Sequence, residues 1–325
     1  MKKKSEEKND RKQKILYLVI PCYNEEEVLR ITTDALTKKM NKLIKDKKIS
    51  KDSKVLYVND GSKDNTWKLI EEIHNENNMF CGVKLSRNRG HQNALLAGLM
   101  TAKKYADITI SMDADLQDDI NVIDSMLEEY EKGSEIVYGV RSSRKKDSFF
   151  KKFTAEGFYK FMKLMGVEIV FNHADCRLMS KLALEGLEQF EEVNLFLRGI
   201  VPQIGYQTSV AYYERNERAA GKSKYPLKKM LKFAMEGITS FSVKPLKMIT
   251  SIGFLMSIFS FIVLMYALVV KIMGNAVSGW TFIIVSIWMV AGIQMLSLGI
   301  IGEYIGKIYN ETKKRPKYII EKELF

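Results

Sequence analysis

Two stretches without a single charged residue set the limits on what this chain can become. MITSIGFLMSIFSFIVLMYALVV runs from Met248 to Val270, and WTFIIVSIWMVAGIQMLSLGIIG from Trp280 to Gly302, 23 residues each. At 1.5 Å per residue each helix would be roughly 34 Å long, against a bilayer hydrocarbon core of about 30 Å. The pattern predicts two membrane spans joined by the short segment 271–279. Lys244 and Lys247 precede the first span, and Lys307, Lys313, Lys314 and Arg315 follow the second. Lys271 alone lies between them. The positive-inside rule then predicts a multi-pass protein of the cell membrane, with both termini and the large N-terminal region on the cytoplasmic side.

The rest of the chain has the composition of a folded domain. Of 325 residues, 46% are hydrophobic and 28% charged, with a net charge of +12. That excludes a disordered polymer. Cys22, Cys81 and Cys176 are few, odd in number and far apart, so neither a disulfide framework nor a zinc pattern is present. Residues 1–14 hold the run KKKSEEKNDRKQK and no apolar run of their own. They read as a solvated charged tail rather than a secretory signal.

From residue 15 onward apolar runs alternate with helical patterns. ILYLVIP (15–21), KVLYVND (54–60), CGVKLSRN (81–88) and DITISMDAD (107–115) read as strands. Helical patterns lie between them, over 25–45, 66–76 and 92–105. This order predicts an α/β domain with a Rossmann-like, mostly parallel sheet covered on both faces. In such sheets ligands bind outside the carboxyl ends of the strands. The loops at those ends are PCYNEE, NDGSKDNT, SRNRGHQN and DADLQDD, polar loops of unusual composition. Neither G-x-G-x-x-G nor a Walker motif occurs, so no glycine-rich loop cradles phosphates here.

SMDADLQDD (111–119) places four aspartates in nine residues of a basic protein. If the strand stays extended, Thr109, Ser111, Asp113 and Asp115 project to one side. Two carboxylates then face one point at the mouth of the sheet. Hard cations such as Mg²⁺ or Mn²⁺ favour such oxygen donors and often take only one or two carboxylates. Asp118 and Asp119 are assigned instead to capping the helix DINVIDSMLEEY.

Six segments carry a family resemblance: VIPCYNEE, VNDGSKDNT, SRNRGHQNALLAGL, MDADLQD, VYGVRSSR and NHADCRLMSK. In this order and spacing they resemble family 2 glycosyltransferases of the GT-A fold. With the hairpin, the match narrows to the polyprenyl-phosphate branch, similar to bactoprenol glucosyltransferases and related to dolichol-phosphate mannose synthase. The resemblance implies a GT-A domain over 15–225, a juxtamembrane amphipathic helix over 226–247, spans over 248–270 and 280–302, and a cytoplasmic tail over 303–325. It further implies that Pro21, Tyr23 and Glu25 line the nucleotide and that Asp60 contacts the base. Asp113 would lie near ribose and phosphate, as a nucleotide-binding and catalytic residue, while Asp115 and Gln117 hold the metal. Where the family often has proline after this motif, the chain has Asp119.

Cationic residues crowd the second half of the domain, among them Arg141, Arg144, Arg177, Arg198, Arg215, Arg218, Lys222 and Lys224. The run leads into a membrane span, and 226–241 has an apolar helical face, which favours lipid phosphate over nucleic acid. By resemblance Arg141, Arg218 and Lys224 contact phosphate, with Arg177 and Arg198 as further candidates. Asp175 matches the position usually proposed as catalytic base. A lipid monophosphate is already anionic near neutral pH, so Asp175 is expected to orient Arg177 or the acceptor, or to cap the helix that follows. His91 is either near the donor or at a plain loop-to-helix junction.

The expected activity is an inverting, metal-dependent transfer of one sugar from a nucleotide-sugar to polyprenyl phosphate. UDP-glucose is the first choice and UDP-GlcNAc the second, both by resemblance, as is a homo-tetramer. A processive polysaccharide synthase would require more spans and a Q-x-x-R-W motif, whose nearest counterpart here is FLRGI (196–200). A non-catalytic basic scaffold fits poorly with acids clustered at the strand ends, which repel polyanions.

Overall fold

The computed structural model describes residues 13–141, 173–214, 242, 244–273 and 279–325. These fall into two compact units. The first contains the N-terminal region up to residue 214 together with the last ten residues, Pro316–Phe325; the second contains two long apolar helices.

The first unit is built on β1 (Leu16–Cys22), β2 (Lys54–Asn59), β3 (Phe80–Leu85), β4 (Ile108–Ser111), β5 (Ile136–Arg141), β6 (His173–Ser180), β7 (Thr208–Tyr213) and β8 (Ile320–Leu324). They form one sheet in the order β7-β5-β6-β4-β1-β2-β3-β8. β1 is central, and all seven of its residues are buried, as a strand covered on both faces requires. The helices of this unit are α1 (Leu29–Lys45), α2 (Thr66–Glu76), α3 (His91–Ala102), α4 (Val122–Glu131), α5 (Lys181–Glu188) and α6 (Leu197–Gln203). The second unit holds α7 (Lys244–Ile272) and α8 (Trp280–Thr312).

β1 distributes its side chains by the period of two. Leu16, Leu18 and Ile20 enter a core with Leu36, Met40 and Leu43 of α1 and Val122 and Met126 of α4. Val19 faces the opposite side, where α3 comes down on the sheet. A Cβ on Gly98 of α3 would meet Val19 Cγ1 at 2.4 Å and Val58 Cγ2 at 2.6 Å. Glycine therefore sets how closely α3 approaches the strands.

Several expectations change. The sheet is mixed: β1 pairs in parallel with β2 and β4, β2 with β3 and β5 with β7, whereas β6 runs antiparallel to β4 and β5. α1 begins at Leu29 rather than near residue 25. The amides of Glu25 and Glu26 are taken by Thr66 Oγ1 and Asp64 Oδ2, which draws this turn away from the helix axis. The segment 303–325 is not a plain tail. α8 continues to Thr312, and the chain then returns as β8, antiparallel to β3. Lys84–Glu321 and Lys322–Glu71 ion pairs flank it. One apolar stretch, Met289–Thr312, meets the length and composition needed to cross a membrane among the described residues. α7 spans 29 residues and begins at Lys244, before the predicted span. The predicted amphipathic helix lies mostly outside the described residues.

Gly98→Ala provides a test of the α3 contact. In a free helix alanine is favoured over glycine by about 1 kcal/mol. Here the added carbon forces two stiff valines to move, and overpacking costs about 1–3 kcal/mol. The variant is expected to melt a few degrees lower than the wild type in the same detergent. A higher midpoint would show that α3 lifts from the strands without cost.

Candidate active site

The site is assembled where the parallel strands end. Loops after β1 and β2 are stitched together: Asn24 N donates to Ser62 Oγ at 3.0 Å, and Lys63 N to Asn24 Oδ1 at 2.9 Å. Asn24 has φ +54°, a conformation that asparagine tolerates. At Gly61, φ +61°, a Cβ would lie 2.5 Å from the Asn88 nitrogen, so only glycine lets the third loop close over the second. Asp60 completes the junction. It is 2% exposed, and its carboxylate accepts from Arg89 N at 2.7 Å and Gly90 N at 2.9 Å. Burial raises its pKa, with the two amide bonds opposing. Asp60, expected at the base, thus first of all holds the turn that starts α3.

Pro21 is buried at the end of β1, Tyr23 is 36% exposed, and Glu25 is half-buried. They line the same strand end, as the expected nucleotide-binding group.

The acidic loop does not follow the extended geometry. β4 stops at Ser111, the chain turns at Ala114 and Asp115, and Leu116 takes φ +54°. Strand alternation therefore does not aim Asp113 and Asp115 at one point. The Ala114 carbonyl accepts from Thr32 Oγ1 at 2.6 Å, which ties the turn to α1. Asp115 Oδ1 accepts from Gln117 N at 3.2 Å, so the two expected metal ligands share one tight turn. Among the described residues no three His, Cys, Asp or Glu side chains converge as a ready metal cage. A carboxylate and an amide oxygen in one turn still suit a hard cation that keeps substrate oxygens and waters in its shell. The surroundings also favour a cation. Burial, with Asp175, Asp118 and Asp115 adding to it, pushes Asp113 up to about 6 against the opposing charge of His91.

Asp118 is not a helix cap. It is 2% exposed, and its Oδ1 accepts from Tyr213 OH at 2.6 Å and Arg141 Nη2 at 3.0 Å. The residue preceding α4 is Asn121, which accepts no capping bond through its side chain. Asp119 accepts from Asn121 N at 2.9 Å instead. Asp118 thereby joins the acidic loop to the ends of β5 and β7. Arg141, an expected phosphate ligand, remains 29% exposed while held by this buried carboxylate.

Asp175 lies within β6, so it does not cap a helix; Ser180 caps α5 by accepting from Ala183 N at 3.0 Å. Its partner is Arg198, not Arg177. Arg198 Nε and Nη2 reach the two oxygens of Asp175 at 3.0 and 3.1 Å, a bidentate pair. His91 Nε2 stands 3.5 Å from Asp175 Oδ2 and 3.9 Å from Asp113 Oδ1. Burial alone would raise the Asp175 pKa, but His91 and Arg198 outweigh it and hold the carboxyl well below its usual range. Burial works against a charge on His91, yet Asp175 and Asp113 push its pKa up to about 9. Sequence reasoning left His91 undecided, because nothing in SRNRGHQN signals a partner on β6, far along the chain.

Arg177 does not face an incoming anion. It is 3% exposed, stacks over Tyr138 at 5.3 Å, and burial lowers its pKa. Arg144, Arg218 and Lys224 lie outside the described residues.

Known proteins resemble this chain along most of its length. The model for "Glycosyl transferase family 2" matches residues 17–187. An uncharacterized glycosyltransferase of Bacillus subtilis, YkoT, is 52% identical over 96% of this chain and 93% of its own length. A prophage bactoprenol glucosyl transferase homolog of Escherichia coli is 40% identical over 94% and 98%. The bactoprenol glucosyl transferase of Shigella phage SfV is 38% identical over 94% and 98%. The family model over 17–187 and relatives 40% and 52% identical along nearly the whole length, on a mixed α/β sheet, make this chain a member of glycosyl transferase family 2, with the GT-A fold.

Proposed function

We propose that the protein transfers a single sugar from a nucleotide-sugar to polyprenyl phosphate, with inversion at the anomeric carbon. UDP-glucose is the favoured donor and UDP-GlcNAc the second. The observation that carries this reading is the Asp113–Gln117 turn at the carboxyl end of β4, in a chain similar along nearly its whole length to bactoprenol glucosyl transferases.

Asp115 and Gln117 would hold Mg²⁺ or Mn²⁺, which when bound screens a diphosphate and makes it a better leaving group. Pro21, Tyr23 and Glu25 bind the nucleoside, with Asp60 fixing the adjoining loop. Asp113 faces the ribose and phosphates. Arg141, steadied by Asp118, offers its exposed edge to phosphate, and Arg218 and Lys224 would add further charge. Asp175 serves as an anchor for cations rather than as a base. A carboxylate gripped by Arg198 and His91 is a poor proton acceptor, and a phosphate monoester with a second pKa of about 6 needs none removed. Rate then comes from in-line positioning and from charge on the departing diphosphate.

The acceptor is a lipid, and the second unit suits it. Phe254, Phe259 and Tyr266 on α7 and Met295 and Leu296 on α8 are each more than 60% exposed, an apolar surface that a bilayer would cover. The chain leaves the sheet after β7 and rejoins it as β8. Any membrane crossed in between is crossed an even number of times, which fits a hairpin of two spans with both ends on one side; the lysines and arginine flanking the apolar stretches make that side the cytoplasmic one in this reading. A homo-oligomer, tetrameric by family resemblance, completes the reading.

Purified full-length protein, given labelled sugar nucleotides, undecaprenyl phosphate and Mn²⁺, should yield one lipid-linked sugar on extraction. Polymer, or no transfer from any donor, would overturn the reading. Chelation should abolish transfer, and Mg²⁺ or Mn²⁺ should restore it. Asp115→Ala is expected to lose at least about 10³-fold in rate with an unchanged melting midpoint; wild-type turnover in that variant would refute the metal assignment. Asp175→Asn should lose roughly 10–100-fold while its rate still rises with acceptor ionisation near pH ~6. A rising limb present in the wild type and absent from the variant would make Asp175 the base.

A further inference from the structure

His91 is the first residue of α3, set there by Gly90 at φ +87° and by the two backbone bonds to Asp60. A helix dipole disfavours a cation at this position. His91 is nonetheless placed with Nε2 toward two carboxylates, Asp175 on β6 and Asp113 beyond β4. Two anions on one edge favour the doubly protonated ring, consistent with its raised pKa. Such a ring has a second N–H. Nδ1 has no protein partner among the described residues, and the side chain is 41% exposed. Asp175 meanwhile gives both oxygens to Arg198, so its geometry is fixed independently of His91.

We propose that His91 is a phosphate ligand of the reaction: anchored through Nε2 on Asp175, it presents Nδ1–H to an anionic phosphate oxygen of the substrates. This rests on the reading of the protein as a polyprenyl-phosphate glycosyltransferase. In that reading Asp113 lies on the donor side and Asp175 on the acceptor side, and His91 bridges them. The oxygen belongs either to the donor diphosphate or to the acceptor monophosphate. An exposed imidazolium held by a carboxylate is preorganised for either, because its ring is already oriented before the anion arrives.

The test uses full-length protein in detergent and the variants His91→Gln and His91→Asn. Glutamine reaches toward Asp175 but carries neither the charge nor the second ring N–H. Asparagine places an amide N–H near the position of Nδ1. Melting midpoints, acceptor kcat/KM at saturating donor, and UDP affinity with Mn²⁺ are measured for each. His91→Gln is expected to fold normally and to lose about 10–100-fold in one arm, as for a charge-assisted hydrogen bond, with His91→Asn recovering part of it. A loss confined to acceptor kinetics identifies the acceptor oxygen, and a matching loss in UDP affinity identifies the donor diphosphate; both support the proposal. If His91→Gln does not fold, His91→Asn is read in the same arms, where a loss in either supports the proposal. A folded variant unchanged in both arms overturns it. Wild type that transfers to no polyprenyl phosphate would instead sink the function reading, while the UDP arm would still report on His91.

Discussion

Negative charge gathered at one end of a sheet, and the cations that make it tolerable, govern this structure. Asp113, Asp115, Asp118 and Asp175 come from the acidic loop and from β6, and each raises the cost of ionising its neighbours; at Asp113 burial is the larger cause and Asp175, Asp118 and Asp115 add to it. The chain distributes the compensation unevenly. Asp175 receives Arg198 and His91, and Asp118 receives Arg141 and Tyr213. Asp113 has the more distant His91. Asp113 is therefore less well balanced than Asp175 or Asp118, beside the turn where a divalent cation and a diphosphate would complete the balance.

That division separates anchoring carboxylates from working ones. Asp60 and Asp118 are nearly inaccessible and bind protein donors, Asp60 through both oxygens and Asp118 through Oδ1. Asp60 holds the loop that starts α3, and Asp118 holds the acidic turn against β5 and β7. Both act by fixing where other groups point. Replacing a buried, paired carboxylate leaves its partner without compensation, so such residues are costly to change even without touching substrate.

Much of this was legible in the sequence, and the exceptions have a common cause. The apolar runs at 15–21 and 54–60 are strands because a strand buried on both faces needs apolar residues at every position. The polar loops after these strands stand out because sheets of this kind bind ligands beyond their carboxyl ends. Partners across long loops left no local sign. Ser111 lies opposite Arg177 only because β6 inserts antiparallel between β4 and β5. That insertion brings Asp175 to His91 and makes Arg198 its partner in place of the nearer Arg177. Asp118 before a helix looks like a cap from local pattern alone, and the distant Tyr213 decides otherwise, while Asp119 does bond the helix entry at Asn121. Arg177 reads as a phosphate-binding candidate among the other cations, but its place opposite Tyr138 on an inner strand buries it.

β8 shows how a weak local pattern becomes an ordered element. IEKEL puts three consecutive charged residues between Ile320 and Leu324 and has little strand preference of its own. Its order comes from the open edge of β3 and from Leu324, which packs near Gly82, Ile70 and Trp67. Lysine and glutamate on this outer strand also protect the new edge from pairing with other chains. The consequence is topological. α7 and α8 are not appended after the catalytic unit but inserted into it, since that unit takes strands from both sides of them. The sheet's outer edge beside β3 is therefore completed only by residues that follow α8 in the chain.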